Sequence, residues 1–165
     1  MILPSLDRDL EPAELRRLVA EYARREDLWR HLVHHDPEAR TYEQIERNEH
    51  VGVWLLCWMK DHDTGFHDHD LSAGAVAVVG GQIREDRLRV GAPPTTRVVD
   101  SGGVFTFAAS DIHRVLHAGT EPSVTIHAYS PPLWRMGAYE IGAGGQLHRH
   151  SVSYAEELRP LEEVA

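Results

Sequence analysis

The stretch Gly65-Phe-His67-Asp-His69 decides how this sequence is interpreted. Two histidines that lie two residues apart on a β-strand point to the same face of the sheet. If that face lines the interior of a barrel, both imidazoles converge on one point. By itself a His-x-His pair is a weak signal, because histidine pairs on protein surfaces are common. The pair gains weight here because it lies between two apolar segments.

The residues on either side of this pair have the composition of short β-strands. They are rich in β-branched, aromatic and aliphatic residues, and Gly, Ser, Asp and Pro separate them. The predicted strands are Val51–Trp58, Leu71–Val79, Gln82–Val90, Thr95–Val99, Gly103–Phe107, Val115–His117 and Val124–Tyr129. The alternation in QIREDRLRV (residues 82–90) predicts a strand with one solvated face, which Pro93–Pro94 is expected to end. Many short, closely spaced strands predict a sandwich or small barrel.

The first 40 residues have a different, helical pattern. From Pro12 to about Arg25, apolar residues recur at helical spacing, and a second short helix is predicted over Glu26–Val33. The helices precede the strands and do not alternate with them, which argues against a βαβ sheet. We therefore expect one domain over residues 1–165, with helices in 1–40, a barrel in 42–141 and a surface-wrapping tail in 142–165.

Composition excludes several classes of function. The chain of 165 residues has 17 basic and 26 acidic residues, giving a net charge of −9, so nucleic acid and anionic membranes are poor candidate partners. No apolar run approaches the ~20 residues of a membrane span. The N-terminal MILPSLDRDLEPAEL lacks the pattern of a secretory signal. A single cysteine, Cys57, fits the expectation of a cytoplasmic protein.

A metal site needs a third ligand, and His113 is the best candidate. It follows the predicted strand that ends at Phe107 and a turn, where the mouth of a barrel could place it beside His67 and His69. The chain has twelve histidines, so others are expected to be plain surface residues. The residues thus predict a three-histidine site for an ion that accepts imidazole ligands.

The sequence around these histidines resembles the cupin superfamily. Its first motif has a glycine, His-x-His, often an acidic ligand, and a closing glycine. Here His67 and His69 stand in register, whereas Gly74 occupies the place of the acid. Further segments resemble a narrower family, the cysteine dioxygenases and related thiol dioxygenases, in its bacterial type. They are Leu55-Leu-Cys-Trp58, Ile112-His-Arg-Val115 and Thr125-Ile-His127-Ala-Tyr129-Ser-Pro-Pro132.

This resemblance implies a mainly β fold, a single jelly-roll-like cupin, and a function. It implies Fe(II) on His67, His69 and His113, a small thiol and O₂ as partners, and a sulfinic acid as product. It also implies that Thr125, His127 and Tyr129 form a catalytic hydrogen-bonded relay, and these residues alternate along one strand. The alternative for the three is a set of core polar groups that satisfy one another. Animal members carry at Gly74 a cysteine cross-linked to the tyrosine, so Tyr129 is expected to be free of such a bond.

The substrate-binding residues follow from the same resemblance. Tyr42 and Gln44 match a Tyr-x-Arg segment in which the arginine holds a carboxylate. A glutamine amide cannot form that bidentate charged pair, so 3-mercapto acids join L-cysteine as candidate substrates. Arg47 and Arg135 are candidates for supplying the lost charge, and the alternative for both is a surface arginine.

Two other functions stay open. One is a cupin metalloenzyme of another class, a non-thiol dioxygenase or isomerase that uses Zn(II), Ni(II) or Mn(II). The other is a non-catalytic, small-ligand-binding cupin. We expect a monomer or weak homodimer, with no nucleic acid or membrane partner.

Overall fold

The computed structural model describes residues 2–153, which form two antiparallel β-sheets preceded by a helix. The helical elements are α1 (Pro12–Arg24) and two single 3₁₀ turns, Glu26–Leu28 and Arg30–Leu32. The strands are β1 (Thr41–Arg47), β2 (Gly52–Trp58), β3 (His67–Asp68), β4 (Ala73–Gly80), β5 (Gln82–Arg89), β6 (Ala92–Asp100), β7 (Val104–Phe107), β8 (His113–Ala118), β9 (Ser123–Ser130), β10 (Arg135–Ile141) and β11 (Leu147–Ser153). The mainly β prediction is confirmed.

The two sheets face each other as a jelly roll. One has the order β1-β2-β9-β4-β7 and the other β11-β10-β3-β8-β5-β6. The side chains between them form an apolar cluster that includes Leu56, Trp58, Val76, Phe105 and Met136. This interior, and not the outer face, receives the histidines discussed below.

Helix α1 covers the outer face of the five-stranded sheet. Its buried stripe of Leu15, Leu18, Val19 and Tyr22 packs against the outward-facing residues of that sheet, so both faces of the sheet are buried. Glu11 and Glu14 form a reciprocal capping box at its start. The second predicted helix, Glu26–Val33, is absent as a continuous helix, since the two short 3₁₀ turns replace it.

Strands β5 and β6 differ from the prediction in two respects. Pro93 and Pro94 do not end a strand but lie within β6. This is tolerated because β6 is the edge of its sheet, where a missing N–H leaves no ladder bond unmade. In β5, Glu85 and Asp86 are both buried although adjacent residues face opposite sides, so neither face is simply solvated.

The six-stranded sheet extends past residue 141, the predicted end of the barrel. Residues Leu147–Ser153 pair with β10 as an edge strand instead of wrapping the surface. Arg149 reaches from β11 to Asp68, donating through Nε at 2.9 Å and Nη2 at 3.0 Å. The remaining part of the predicted tail, 154–165, lies outside the described residues. Within residues 2–153, no helix has the length and apolar character needed to cross a membrane.

Candidate metal centre

Three histidines from two neighbouring strands converge inside the barrel. His67 belongs to β3, His69 follows that strand directly, and His113 begins β8, where it lies opposite His67 in the ladder. All three side chains are buried. The Nε2 atoms of His67 and His69 are 3.2 Å apart. One ring nitrogen from each of the three residues lies within 4.8 Å of the others, so three donors face one point.

Two of the three imidazoles are oriented by hydrogen bonds. Nδ1 of His67 donates to the carbonyl oxygen of Gly65 at 3.0 Å, and Nδ1 of His113 donates to the Glu85 carboxylate at 2.9 Å. A proton held on Nδ1 leaves Nε2 as the lone-pair donor, which is the tautomer that binds a metal through Nε2. Both rings are thus arranged as ligands before any ion binds.

His69 is held differently. Among the described residues its Nδ1 has no hydrogen-bond partner. Its ring instead stacks on Phe107, with centroids 4.2 Å apart and planes at 23°. Packing against an aromatic ring therefore fixes the orientation that hydrogen bonds fix in the other two.

The electrostatics of the cluster favour neutral rings at His69 and His113. Burial, followed by the neighbouring His67, lowers the pKa of both His69 and His113 well below the usual range. Both are uncharged at neutral pH, and neutral imidazole is the form that coordinates metal ions. Three converging imidazole nitrogens fit a divalent transition metal, whereas Ca²⁺ and Mg²⁺ prefer oxygen ligands.

Phe107 also occupies the space of the side chain that Gly74 lacks. Gly74 and Phe107 are opposite each other in the β4–β7 ladder. A Cβ atom added to Gly74 would lie 2.1 Å from Cζ of Phe107. The same ring contacts His113, with centroids 4.6 Å apart. No carboxylate or thiol therefore reaches the histidines from position 74.

A chain of hydrogen bonds along β9 ends beside the cluster. Nε1 of Trp58 donates to Oγ1 of Thr125 at 2.8 Å. Oγ1 of Thr125 is 2.8 Å from Nε2 of His127, and Nδ1 of His127 is 2.9 Å from the Tyr129 hydroxyl. The Tyr129 ring lies 5.4 Å from that of His69. The three residues predicted as a relay are thus in contact and lead from the core to the histidines.

The donor groups fix the proton position at one end of this chain. The Trp58 indole can only donate, so the Thr125 hydroxyl accepts from it and meets Nε2 of His127 with either its own proton or its second lone pair. Burial, then the charges of Arg40 and His67, lower the pKa of His127 to about 3. The ring is therefore neutral, so one of its nitrogens donates and the other accepts. His127 thus couples the Thr125 hydroxyl to the Tyr129 hydroxyl within one chain of hydrogen bonds.

The three predicted substrate-binding residues lie at two places. Tyr42 and Gln44 are in the edge strand β1, where Gln44 is exposed and pairs with Trp54 in the ladder. Arg135 lines a cavity of about 160 Å³ together with His69. Its guanidinium is 3.6 Å from the Asp70 carboxylate, and its side chain is 62% exposed. Arg135 thus borders an opening next to the histidines, whereas Gln44 is two strands away from β9.

Sequence reasoning missed four residues of this site. Glu85 lies on the inner face of β5, and its position two residues after the buried Ile83 was a signal of that. Phe107, read only as part of a strand, carries the stacking on His69. The sequence marks Trp58 as part of a motif and does not indicate that it donates a hydrogen bond to the relay. Arg40 is buried with its guanidinium carbon 5.2 Å from the Trp58 ring centroid, and no local pattern marks it.

Comparison with known proteins agrees with this geometry. The family model of cysteine dioxygenase type I matches residues 6–141. The chain belongs to this family. Cysteine dioxygenase type 1 of Danio rerio is 27% identical over 142 residues, covering 79% of this chain and 71% of the relative. The human enzyme of the same name is 24% identical over 115 residues, and the match spans only 56% of its length.

Solved structures confirm the cupin fold of this family member. The Thermus thermophilus protein TT1209 superposes with a TM-score of 0.56 at 14% identity, covering 62% of this chain and 93% of that one. A cupin superfamily protein from Desulfitobacterium hafniense gives 0.52 at 10% identity, covering 62% and 87%. At these identities the similarity concerns the fold alone.

Proposed function

We propose that this cysteine dioxygenase family member is a non-haem iron(II) thiol dioxygenase. It would add O₂ to the sulfur of a small thiol, L-cysteine or a 3-mercapto acid, and release a sulfinic acid. The observation that supports this most strongly is the convergence of three buried histidines directly beside the Thr125–His127–Tyr129 chain. Neither feature alone selects a thiol dioxygenase, because three-histidine sites and buried polar chains each occur elsewhere.

The residues that would hold the iron are His67, His69 and His113. Three protein ligands leave further coordination positions open, and imidazole suits Fe(II). When bound there, iron(II) would supply a site for the substrate as thiolate and for O₂ beside it, so that both oxygen atoms pass to sulfur. A site without a protein carboxylate fits an anionic sulfur ligand, because the thiolate brings the negative charge itself.

Tyr129 is the residue of the chain that would act on the substrate. When His127 carries its proton on Nδ1, the Tyr129 hydroxyl accepts from that ring and has its own proton for a sulfur or oxygen atom bound next to His69. We propose that Thr125, held by the Trp58 indole, donates to Nε2 of His127 and so selects this tautomer. The chain would thus orient the reactants and stabilise charge that develops on oxygen.

The carboxylate of the thiol needs a cation or donor at the entrance. Arg135 borders the cavity beside His69, and its exposed guanidinium is bound only loosely to Asp70. We propose it as the anchor for the carboxylate of a mercapto acid. Tyr42 and Gln44 on β1 are proposed as further substrate contacts on the five-stranded sheet.

The test is O₂ uptake by protein loaded anaerobically with one metal at a time. Fe(II), Zn(II), Ni(II) and Mn(II) forms would each be offered L-cysteine, 3-mercaptopropionate and cysteamine. We expect uptake only with Fe(II), and sulfinate in stoichiometric amount. His113→Ala is the control and should lose both the iron and the uptake. Uptake supported by another metal, or none with any thiol despite bound iron, would move the function to another cupin reaction or to ligand binding.

A further inference from the structure

Glu85 is a buried carboxylate directly behind one of the proposed metal ligands. It lies on β5 with its side chain on the inner face, as do Ile83 and Arg87. Its relative exposure is 2%. One carboxylate oxygen accepts from Nδ1 of His113 at 2.9 Å, on the side of the ring opposite the converging Nε2. The carboxylate is therefore one imidazole away from the metal position.

Two arginines hold this carboxylate in place. Nη2 of Arg87 donates to Oε1 at 2.9 Å, and Nε of Arg97 donates to Oε2 at 2.6 Å. Arg87 is itself fixed by the carbonyl of Thr106 at 2.9 Å and by Asp111 at 3.2 Å. Arg97 packs its guanidinium over Phe105 and is 46% exposed. Glu85 thus stands between the histidines and a pair of arginines at the surface.

We propose that Glu85 is a positioning residue that supplies, through His113, the negative charge that a set of three imidazole ligands lacks. A carboxylate that accepts from the far nitrogen of a metal-bound histidine fixes its tautomer and raises its basicity. Gly74 provides no carboxylate ligand from β4. Glu85 on the facing sheet supplies a negative charge instead, but through the His113 ring and not by direct contact with the metal. Arg87 and Arg97 partly neutralise this carboxylate and thereby set how strongly it raises the basicity of His113. The inference rests on the metal-binding role in the proposed function.

Two substitutions that should change the metal affinity in opposite directions test this proposal. Glu85→Gln keeps the shape but removes the charge, and should weaken the binding of Co(II) and Zn(II) by about 10- to 100-fold. Arg97→Gln removes one competing cation from the carboxylate and should tighten binding several-fold. Asp86→Asn is the matched control, because Asp86 is equally buried on the same strand but bonds to Arg84 and Thr96 on the outer face. It should bind both metals like the wild type.

A readout without metal separates this proposal from the proposed function. In the metal-free protein, the ¹⁵N shifts of the His113 ring should report a proton fixed on Nδ1, and Glu85→Gln should mix the two tautomers. If Glu85→Gln fails to fold, Glu85→Asp serves for both measurements: its side chain is one methylene shorter, so the carboxylate is drawn away from Nδ1 of His113 and both effects should have the same direction. Equal metal affinities for Glu85→Gln and Asp86→Asn, or weaker binding by Arg97→Gln, would overturn the proposal. Neither result would depend on whether thiols are oxidised, which O₂ uptake tests separately.

Discussion

Replacing Gly74 by alanine should damage the site through Phe107. The added Cβ would lie 2.1 Å from Cζ of the ring, with two more ring carbons at 2.5 and 3.0 Å. Carbon atoms pack at roughly 3.5 Å or more, so the ring must retreat by roughly 1.4 Å. The direction of retreat is occupied, because Phe107 stacks on His69 and contacts His113.

The expected cost combines two opposing effects. Overpacking of a buried site costs about 1 to 3 kcal/mol, and the rigid neighbours place Gly74→Ala at the upper end. Alanine in a strand gains roughly 0.5 to 1 kcal/mol over glycine through backbone entropy. The net loss of unfolding free energy should therefore be about 2 kcal/mol. Since the displaced ring also pushes His69, Co(II) affinity should fall by at least ~10-fold.

Urea unfolding of the metal-free protein and a chelator competition with Co(II) measure the two effects. Gly80→Ala on the same strand is the control, since the nearest heavy atom to its new Cβ is Val124 Cβ at 3.8 Å. It should lose no stability. Adding Phe107→Leu to Gly74→Ala should recover about 1 kcal/mol relative to additivity. Wild-type stability and metal affinity in Gly74→Ala would refute the reasoning, because the ring would then move without cost.

Four further predictions concern the relay and the sheet. Tyr129→Phe should keep its iron but slow turnover about 10-fold or more, measured as iron content and O₂ uptake. Thr125→Val should lose about 2 kcal/mol of unfolding free energy and most turnover, because Trp58 and His127 both lose a buried hydrogen-bond partner. Thr125→Ser should retain turnover within a few-fold. The metal-free protein should lose stability as pH falls from 6.5 towards 3, because His127 is held neutral in the fold with a pKa of about 3 while the unfolded chain takes up the proton near 6.5. The size of the pKa shift limits this loss to about 5 kcal/mol. His127→Gln should therefore destabilise the protein less at pH 4.5 than at pH 7.5. Equal destabilisation at the two pH values would contradict the prediction. Arg149→Ala should cost about 1 to 3 kcal/mol in urea unfolding by leaving Asp68 without two of its donors, whereas Arg135→Ala, at the exposed Asp70 pair, should cost under ~0.5 kcal/mol.

The sequence predicted the ligand cluster because its signal is local. His67 and His69 share a strand face, and any fold that turns this face inward brings them together. Placing His113 opposite His67 required the order of strands in the sheet, which spacing along the chain does not contain. The sequence analysis selected His113 from its place after a strand and a turn, without a strand order, and the structure brings the three residues together.

The residues that were missed act across strands. Glu85 looked like part of a solvated face because its own neighbours are charged, and only its partners His113, Arg87 and Arg97 make its burial tolerable. Phe107 matters because of Gly74 on the adjacent strand. Strand β11 has a polar sequence because it is an edge strand with mostly exposed side chains, so hydrophobic periodicity could not reveal it.

The central claim is that both atoms of O₂ reach the sulfur of a small thiol. The most direct measurement is mass spectrometry of the product formed by the iron(II)-loaded protein under ¹⁸O₂, with the thiol that gives the fastest uptake. The account predicts a sulfinate that carries two ¹⁸O atoms, and none from His113→Ala. A disulfide as the main product, or a sulfinate whose oxygen comes partly from water in the first turnover, would contradict it.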